Sequence, residues 1–358
     1  MQNSNLKHYV ANTKQEIDAL LETFFGEKTS QAAKIGTEYK HLVSVLANQT
    51  LRGGKRLRPA LAMLGYEIAG GKQRDKMLRA AAALEIFHNY LLIHDDIMDR
   101  DDRRHGGLNV SGLYKKKYLK TLTPQMAQHM ADANALLAGD ISCGLSYEML
   151  LSADLGADLL LKAIARLNKA TFEVAAGQQL DLIGSVSKTL SLKQISKINH
   201  YKTADYTVIM PLQFGAMLAG GPELLQQAFS NFGASAGVAF QLSDDNMGVF
   251  GGTKATGKPI GSDIKEGKQT VLMHYGLKLA SDTQKSYLLK CLKNPGLTSA
   301  EVTKVRKILD SCGAKAKTIV IAQDLANQAT EIAKDISTTP ENTNILVEFA
   351  QYCVARSS

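Results

Sequence analysis

Tryptophan is absent from the 358-residue chain, cysteine appears four times and proline seven. Cys143, Cys291, Cys312 and Cys353 lie far apart, with no CxxC and no His/Cys spacing suited to zinc. That pattern argues against a disulfide framework and against a zinc site, and free thiols in a reducing compartment are expected. No run of about 18 apolar residues offers a membrane-spanning helix. The opening "MQNSNLKHYVANTKQEIDAL" lacks the apolar core and cleavage site of a signal peptide, so a cytoplasmic protein is expected. Segments that alternate every second residue are nearly absent, which argues against sheet.

The charge is lopsided but uninformative alone: 42 Lys and Arg stand against 34 Asp and Glu, a formal +8. Nucleic acid, a membrane surface or a phosphorylated substrate would each suit it. The densest basic run, "YKKKYLK" at 114–120, carries no interleaved base-stacking aromatics and no nucleic-acid motif. A solvated loop is expected there, and no nucleic-acid partner.

Ala, Leu, Lys and Gln dominate long stretches with apolar residues three and four apart, the helical period. The spacing predicts helices at 6–25, 34–50, 59–70, 74–100, 124–151, 156–183, 190–201, 203–219, 222–249, 269–280, 282–293, 298–311, 314–336 and 340–355. Pro59 and Pro222 are expected in first turns, where a missing N–H costs nothing. No composition shift marks a boundary, so the expectation is all-α, one large helical bundle over 1–358 as a single domain.

Within the predicted 74–100 helix, Leu84, Phe87 and Leu91 form a stripe that runs into "HNYLLIHDDIMDRDDRRHGG" at 88–107. Asp95 and Asp99, four apart, share a face about one turn apart, Asp102 extends that stripe if the helix persists, and Asp96 is rotated by about 100°. Carboxylates at the negative end of a helix cost a few tenths to about 1 kcal/mol each unless a cation intervenes. A second long helix ends the same way, in "FQLSDDNMGVFGG", with Asp244 and Asp245. Oxygen ligands without Cys or His point to Mg²⁺, which keeps several waters and commonly bridges protein to phosphate. A phosphate-bearing substrate also needs cations. Small groups supply them: Lys55, Arg56 and Arg58 in "GGKRLRP", Arg103 and Arg104, Lys202 in "YKTADY", and Lys258 and Lys268 in "GKPIGSDIKEGKQT". Two anionic groups are implied, one bridged by metal and one held by side chains.

With these motifs in order from about Leu51 to Thr270, namely "GGKRLRP", "LIHDDIMD", "GQQLD", "KTA", "FQLSDD" and "GKPIGSDIKEGKQT", the chain resembles the trans-isoprenyl diphosphate synthases. The resemblance implies an isoprenoid synthase fold around a deep cavity. It also implies head-to-tail condensation of isopentenyl diphosphate with an allylic diphosphate (dimethylallyl, geranyl or farnesyl), and a homodimer. Asp95, Asp99 and Asp244 would hold about three Mg²⁺ ions, with Asp96 and Asp245 in support. Arg104, Lys202 and Lys258 match residues that neutralise the allylic diphosphate, with Lys268 nearby. Lys55, Arg58 and His88 match the metal-free isopentenyl diphosphate pocket. Thr203, Gln178, Asp181 and Gln241 match positions around the allylic carbon.

Three departures stand out. The family's "RRG" reads Arg104-His105-Gly106, so His105 replaces an arginine that contacts isopentenyl diphosphate and lacks its bidentate fork; a one-residue slip would instead make Arg103-Arg104 the pair. Gly248 stands where a third aspartate of the second motif is often found. No residues are inserted inside the first DDxxD, unlike the bacterial farnesyl type. Tyr90, five residues before Asp95, is about one and a half turns along the helix and is expected to act as the floor of the product cavity, with Phe87 a turn deeper. That pattern resembles the geranylgeranyl type, with farnesyl second. A non-catalytic regulatory subunit of a heteromeric synthase is the alternative, motivated by His105 and Gly248. A class I terpene cyclase shares the first DDxxD but neither the second aspartate pair nor the need for Lys55 and Arg58.

Overall fold

The structure is a computed structural model that describes residues 4–187, 189–251, 261–294, 296–336 and 338–355. It is built almost entirely of helices: α1 (Asn5–Ile35), α2 (Thr37–Leu51), α3 (Leu57–Ile68), α4 (Arg74–Met98), α5 (Val110–Tyr118), α6 (Pro124–Leu151), α7 (Ala157–Val186) and α8 (Leu192–Ile198). An unbroken π-helical segment, Asn199–Ile209, runs into α9 (Met210–Leu218). Then follow α10 (Glu223–Phe250), α11 (Ser262–Glu266), α12 (Val271–Leu279), α13 (Asp282–Cys291), α14 (Ser299–Ser311), α15 (Ala314–Asp335) and α16 (Pro340–Ala355).

Local chemistry explains the helix starts. Thr123 accepts from the Met126 N–H with Pro124 behind it, and Ser191, Ser281 and Thr298 each complete a capping box, worth about 1 kcal/mol apiece. Packing explains the middle. Ala80, Ala81, Ala82 and Ala83 bury α4 on all sides, and α6, its most extensive neighbour, buries a stripe of Ala127, Ala131, Ala135 and Ala138, small side chains that let the rods approach closely. The resulting core joins α1, α2, α4, α6 and α7, and a second core gathers α3, α9, α10, α15 and α16 around Phe229, Phe232 and Phe349. No helix among the described residues is long and apolar enough to cross a membrane.

Several expectations change. The predicted helix at 6–25 continues to Ile35 and stops only at Gly36. Pro59 is the third residue of α3 rather than its first, and Pro222 precedes α10 as its N-cap. "YKKKYLK" is not a loop at its start: Tyr114–Tyr118 belongs to α5, where Lys115 pairs with Asp102 and Lys117 with Glu38 at 2.8 Å each. The break expected between 201 and 203 is absent, because the π segment carries the chain through Lys202 and Thr203. α4 ends at Met98, with Asp99 as C-cap and Arg100 in the left-handed region (φ 57°), so Asp102 does not continue the aspartate stripe.

A candidate active site of two adjoining cavities

α4 holds Asp95 on the wall of an elongated cavity of about 530 Å³, and α10 brings Asp244 to the same wall. α7 supplies Val174, Ala175 and Gln178, and the π segment supplies Lys202, Thr203, Tyr206 and Thr207. A π turn takes more residues than an α turn, and here residues one, four and five apart line one cavity. Tyr90 and His94 line it farther along α4. Phe87 does not; it is fully buried behind Tyr90, their ring centroids 5.7 Å apart.

A second cavity of about 510 Å³ adjoins the first, the two sharing Arg58, His88, Leu92, Thr207, Phe240 and Asp244. Lys55, Arg104 and His105 line only the second. The loop before α3 and the short hairpin between α4 and α5 thus bring the sequence-distant cations together. Arg58 donates to Thr207 Oγ1 at 2.7 Å and lies over the Tyr206 ring at 4.3 Å. The Tyr206 hydroxyl pairs with His88 Nδ1 at 2.8 Å. Burial, followed by the field of Arg58, lowers the His88 imidazole well below its ordinary value, so the ring is neutral at pH 7. Arg56, adjacent in sequence, is spent differently: it is buried against Asp18 and Glu85 at 2.7 Å each.

Cations and carboxylates alternate around Asp95. Lys202 Nζ lies 3.4 Å from Asp95 Oδ1 and 2.7 Å from Asp181 Oδ2. Burial alone would pull the Lys202 ammonium down, but Asp95 and Asp181 hold it above the ordinary lysine range. Arg104 Nε donates to Asp96 Oδ1 at 3.0 Å, and its Nη2 is 3.9 Å from Asp95 Oδ2. Burial nonetheless raises the Asp96 carboxyl to about 6. Lys268 ties the closing segment to the first aspartate motif, 3.0 Å from Asp99 Oδ2 and 3.8 Å from Asp263 Oδ1. Burial lowers Lys268, yet Asp99 and Asp263 outweigh it and hold the ammonium well above its usual value. Thr203 donates to Gln241 Oε1 at 2.5 Å, and Gln241 Nε2 donates to Asp245 Oδ1 at 2.7 Å. Gln178 is buried, its Nε2 3.9 Å from Met98 Sδ. Lys258 lies outside the described residues.

The two departures acquire structural reasons. Arg103–Arg104 pairs with Gly107–Leu108 as a two-residue hairpin whose turn, His105-Gly106, has φ of 50° and 75°, the signs of a type I′ turn. That turn places His105, itself exposed, on the lining of the second cavity, whereas Arg103 donates to the Gly106 carbonyl and lines neither cavity. Arg104-His105 is therefore the pair that faces the site. The His105 side chain packs 3.1 Å from where a Cβ on Gly53 would be; desolvation there and the fields of Arg104 and Arg56 lower it to about 4. At Gly248 the space for a side chain is filled by the Asp263 carboxylate, whose Oδ2 would overlap any Cβ. Asp263 reaches back from α11, and no spacing rule in the sequence marks it.

The donor set suits a hard divalent cation. Asp95, Asp99 and Asp244 offer only oxygen, and Asp96 Oδ2 and Asp245 Oδ2 are buried without a hydrogen-bond partner among the described residues. Among the described residues no three such groups converge tightly enough to chelate an ion alone. Sequence reasoning missed several lining residues. Tyr352 of α16 accepts from Lys55 Nζ at 2.5 Å and gave no local signal; Phe240 and Tyr206 lie within the quoted "FQLSDD" and "YKTADY" but were not singled out, and Thr207 follows the latter.

The polyprenyl synthetase family model matches residues 40–310. Over 302 residues the chain is 32% identical to the short chain isoprenyl diphosphate synthase of Methanocaldococcus jannaschii, covering 83% of this chain and 82% of that one. It is 30% identical over 304 residues to the geranylgeranyl diphosphate synthase of Methanosarcina mazei, covering 85% and 86%. The geranylgeranyl pyrophosphate synthase of Corynebacterium glutamicum, solved with isoprenyl diphosphate and magnesium, superposes with a TM-score of 0.91 at 29% identity over 98% of this chain and 99% of that one. With the helical architecture and the two adjoining cavities already in place, these matches establish that the chain is a member of the polyprenyl synthetase family of prenyltransferases.

Proposed function

We propose that the chain condenses isopentenyl diphosphate with an allylic diphosphate, with geranylgeranyl diphosphate as its main product and farnesyl diphosphate second. The observation that carries this reading is the shared wall of the two cavities at Arg58, His88 and Asp244. One cavity is mostly apolar with Asp95 and Asp244 in its lining, and the other is walled by Lys55, Arg58 and Arg104. Two diphosphates seated there would bring their carbon ends together.

In this reading Asp95, Asp99 and Asp244 hold magnesium, which when bound supplies positive charge against the leaving diphosphate. Lys202, with Lys258 and Lys268, binds the remaining phosphate oxygens, and Arg104, which lines the second cavity, adds its charge from that side beside Asp95 and Asp96. Lys55, Arg58, His88 and His105 orient isopentenyl diphosphate. The Thr203–Gln241 pair, with Gln178, places oxygen dipoles near the developing allylic cation. Leu91, Val174 and Ala175 keep water from it, since water would trap the cation. The proton released on forming the new double bond leaves with the diphosphate. Tyr90, which lines this cavity, serves in this reading as its floor and so limits chain length.

A homodimer is proposed as well, supported by exposed Leu136 and Leu137 on α6 and Leu161 and Phe172 on α7. Incubating purified protein with isopentenyl diphosphate, farnesyl diphosphate and Mg²⁺ tests the main reading, with chelator as control. Elongation that chelator abolishes is expected. No elongated product with any primer would reject it in favour of a regulatory partner subunit.

A further inference from the structure

His94 directly precedes Asp95 on α4, and its imidazole lines the elongated cavity beside Tyr90. The two rings meet edge to face, with centroids 5.0 Å apart and planes at 78°. Tyr90 meets buried Phe87 in the same manner on its other side. Among the described residues the Tyr90 hydroxyl makes no hydrogen bond, so ring packing and not a polar anchor orients it.

The seat of His94 is on α6. Its Nε2 and Cδ2 occupy the space that a Cβ on Gly139 would need. Nε2 is also 3.4 Å from the Leu136 carbonyl and 3.7 Å from Asp140 Oδ1. The notch exists because residue 139 has no side chain. It lets the imidazole withdraw from the cavity toward α6 while its ring still braces Tyr90. An edge-to-face pair biases ring orientation by roughly two- to tenfold in population, which suffices to shift the proportion of chains that pass a floor.

We propose that His94, seated on Gly139, is a specificity-determining residue: it fixes the Tyr90 ring and thereby the length of prenyl chain the cavity accepts. The inference rests on the reading of Tyr90 as the floor. Gly139 sets the depth of the seat, and any side chain there drives the imidazole into the cavity. Removing the imidazole frees Tyr90 to turn aside, and longer chains pass.

The test is chromatography of dephosphorylated products from the full-length protein with Mg²⁺, isopentenyl diphosphate and farnesyl diphosphate, comparing wild type, Tyr90→Ala, His94→Ala and Gly139→Ala. Product ratios are read, so a variant with reduced turnover still reports. His94→Ala with Tyr90 intact is expected to raise the ratio of longer to main product by at least about threefold, and Gly139→Ala to shift it toward shorter chains. An unchanged ratio in His94→Ala alongside a longer product in Tyr90→Ala overturns the role of His94 and leaves the floor standing. An unchanged product in Tyr90→Ala removes the floor itself, and the inference with it.

Discussion

The carboxylate of Asp263 occupies the space into which a side chain at Gly248 would project. An aspartate installed at 248 would meet a carboxylate already in place, in a neighbourhood that also holds Asp245, whose carboxyl burial raises to about 8. Gly248→Asp, although it restores the family's third aspartate, is therefore expected to lower stability by about 1–3 kcal/mol and to reduce turnover. Adding Asp263→Gly relieves the crowding and is expected to recover most of the stability. Denaturant midpoints of the single and double variants check this, and a stabilised single variant would be inconsistent with the packing described.

His105 offers a neutral ring where an arginine fork is usual. His105→Arg is expected to lower the KM for isopentenyl diphosphate about tenfold, equivalent to about 1.4 kcal/mol, with little change in kcat, because it adds binding made equally in ground and transition states. Steady-state kinetics with isopentenyl diphosphate as the varied substrate provide the measurement. A KM that stays constant would mean that residue 105 does not reach the diphosphate.

Lys202 faces Asp95 and Asp181 from the π segment. Lys202→Ala is expected to lower kcat by about 10²–10³, the scale for losing one preorganised donor to developing charge. Its effect on the KM for isopentenyl diphosphate should be small. A change confined to KM would move Lys202 out of the ionisation step.

Desolvation and the field of Arg58 hold the half-buried His88 imidazole well below the value it has in an unfolded chain, about 6.5. As pH falls through 6.5 the unfolded chain takes up a proton that the folded ring refuses. This residue's contribution therefore makes stability fall toward acid pH, by up to about 1.4 kcal/mol per pH unit. In His88→Gln that contribution is absent. The stability of wild type relative to His88→Gln, measured by denaturant titration, should decline from pH 7 to pH 5; a difference that rises in that range would contradict the assignment of a neutral ring.

Much of this was legible in the sequence because helices announce themselves by period and metal-type sites by clustered carboxylates. That reasoning singled out Asp95, Asp99, Asp244 and the cations of "GGKRLRP"; of these the cavities gather Asp95, Asp244, Lys55, Arg56 and Arg58, while Asp99 lies outside both. What stayed hidden depends on contacts between distant segments. Tyr352 reaches Lys55 across 297 positions, and Asp263 fills the place of an absent side chain on another helix. Neither leaves a periodic trace. The π segment was missed for a different reason: nothing in its residues marks an extra residue per turn, although the segment packs against both α7 and α10.

The most direct test of the account is the chain length made from each primer. Purified protein would be supplied with labelled isopentenyl diphosphate, Mg²⁺ and, in turn, dimethylallyl, geranyl and farnesyl diphosphate, and the dephosphorylated alcohols separated. Geranylgeraniol is expected as the main product from all three, with farnesol second from the shorter primers. Absence of any elongated alcohol, or a reaction that stops at farnesol and leaves farnesyl diphosphate unused, would contradict it.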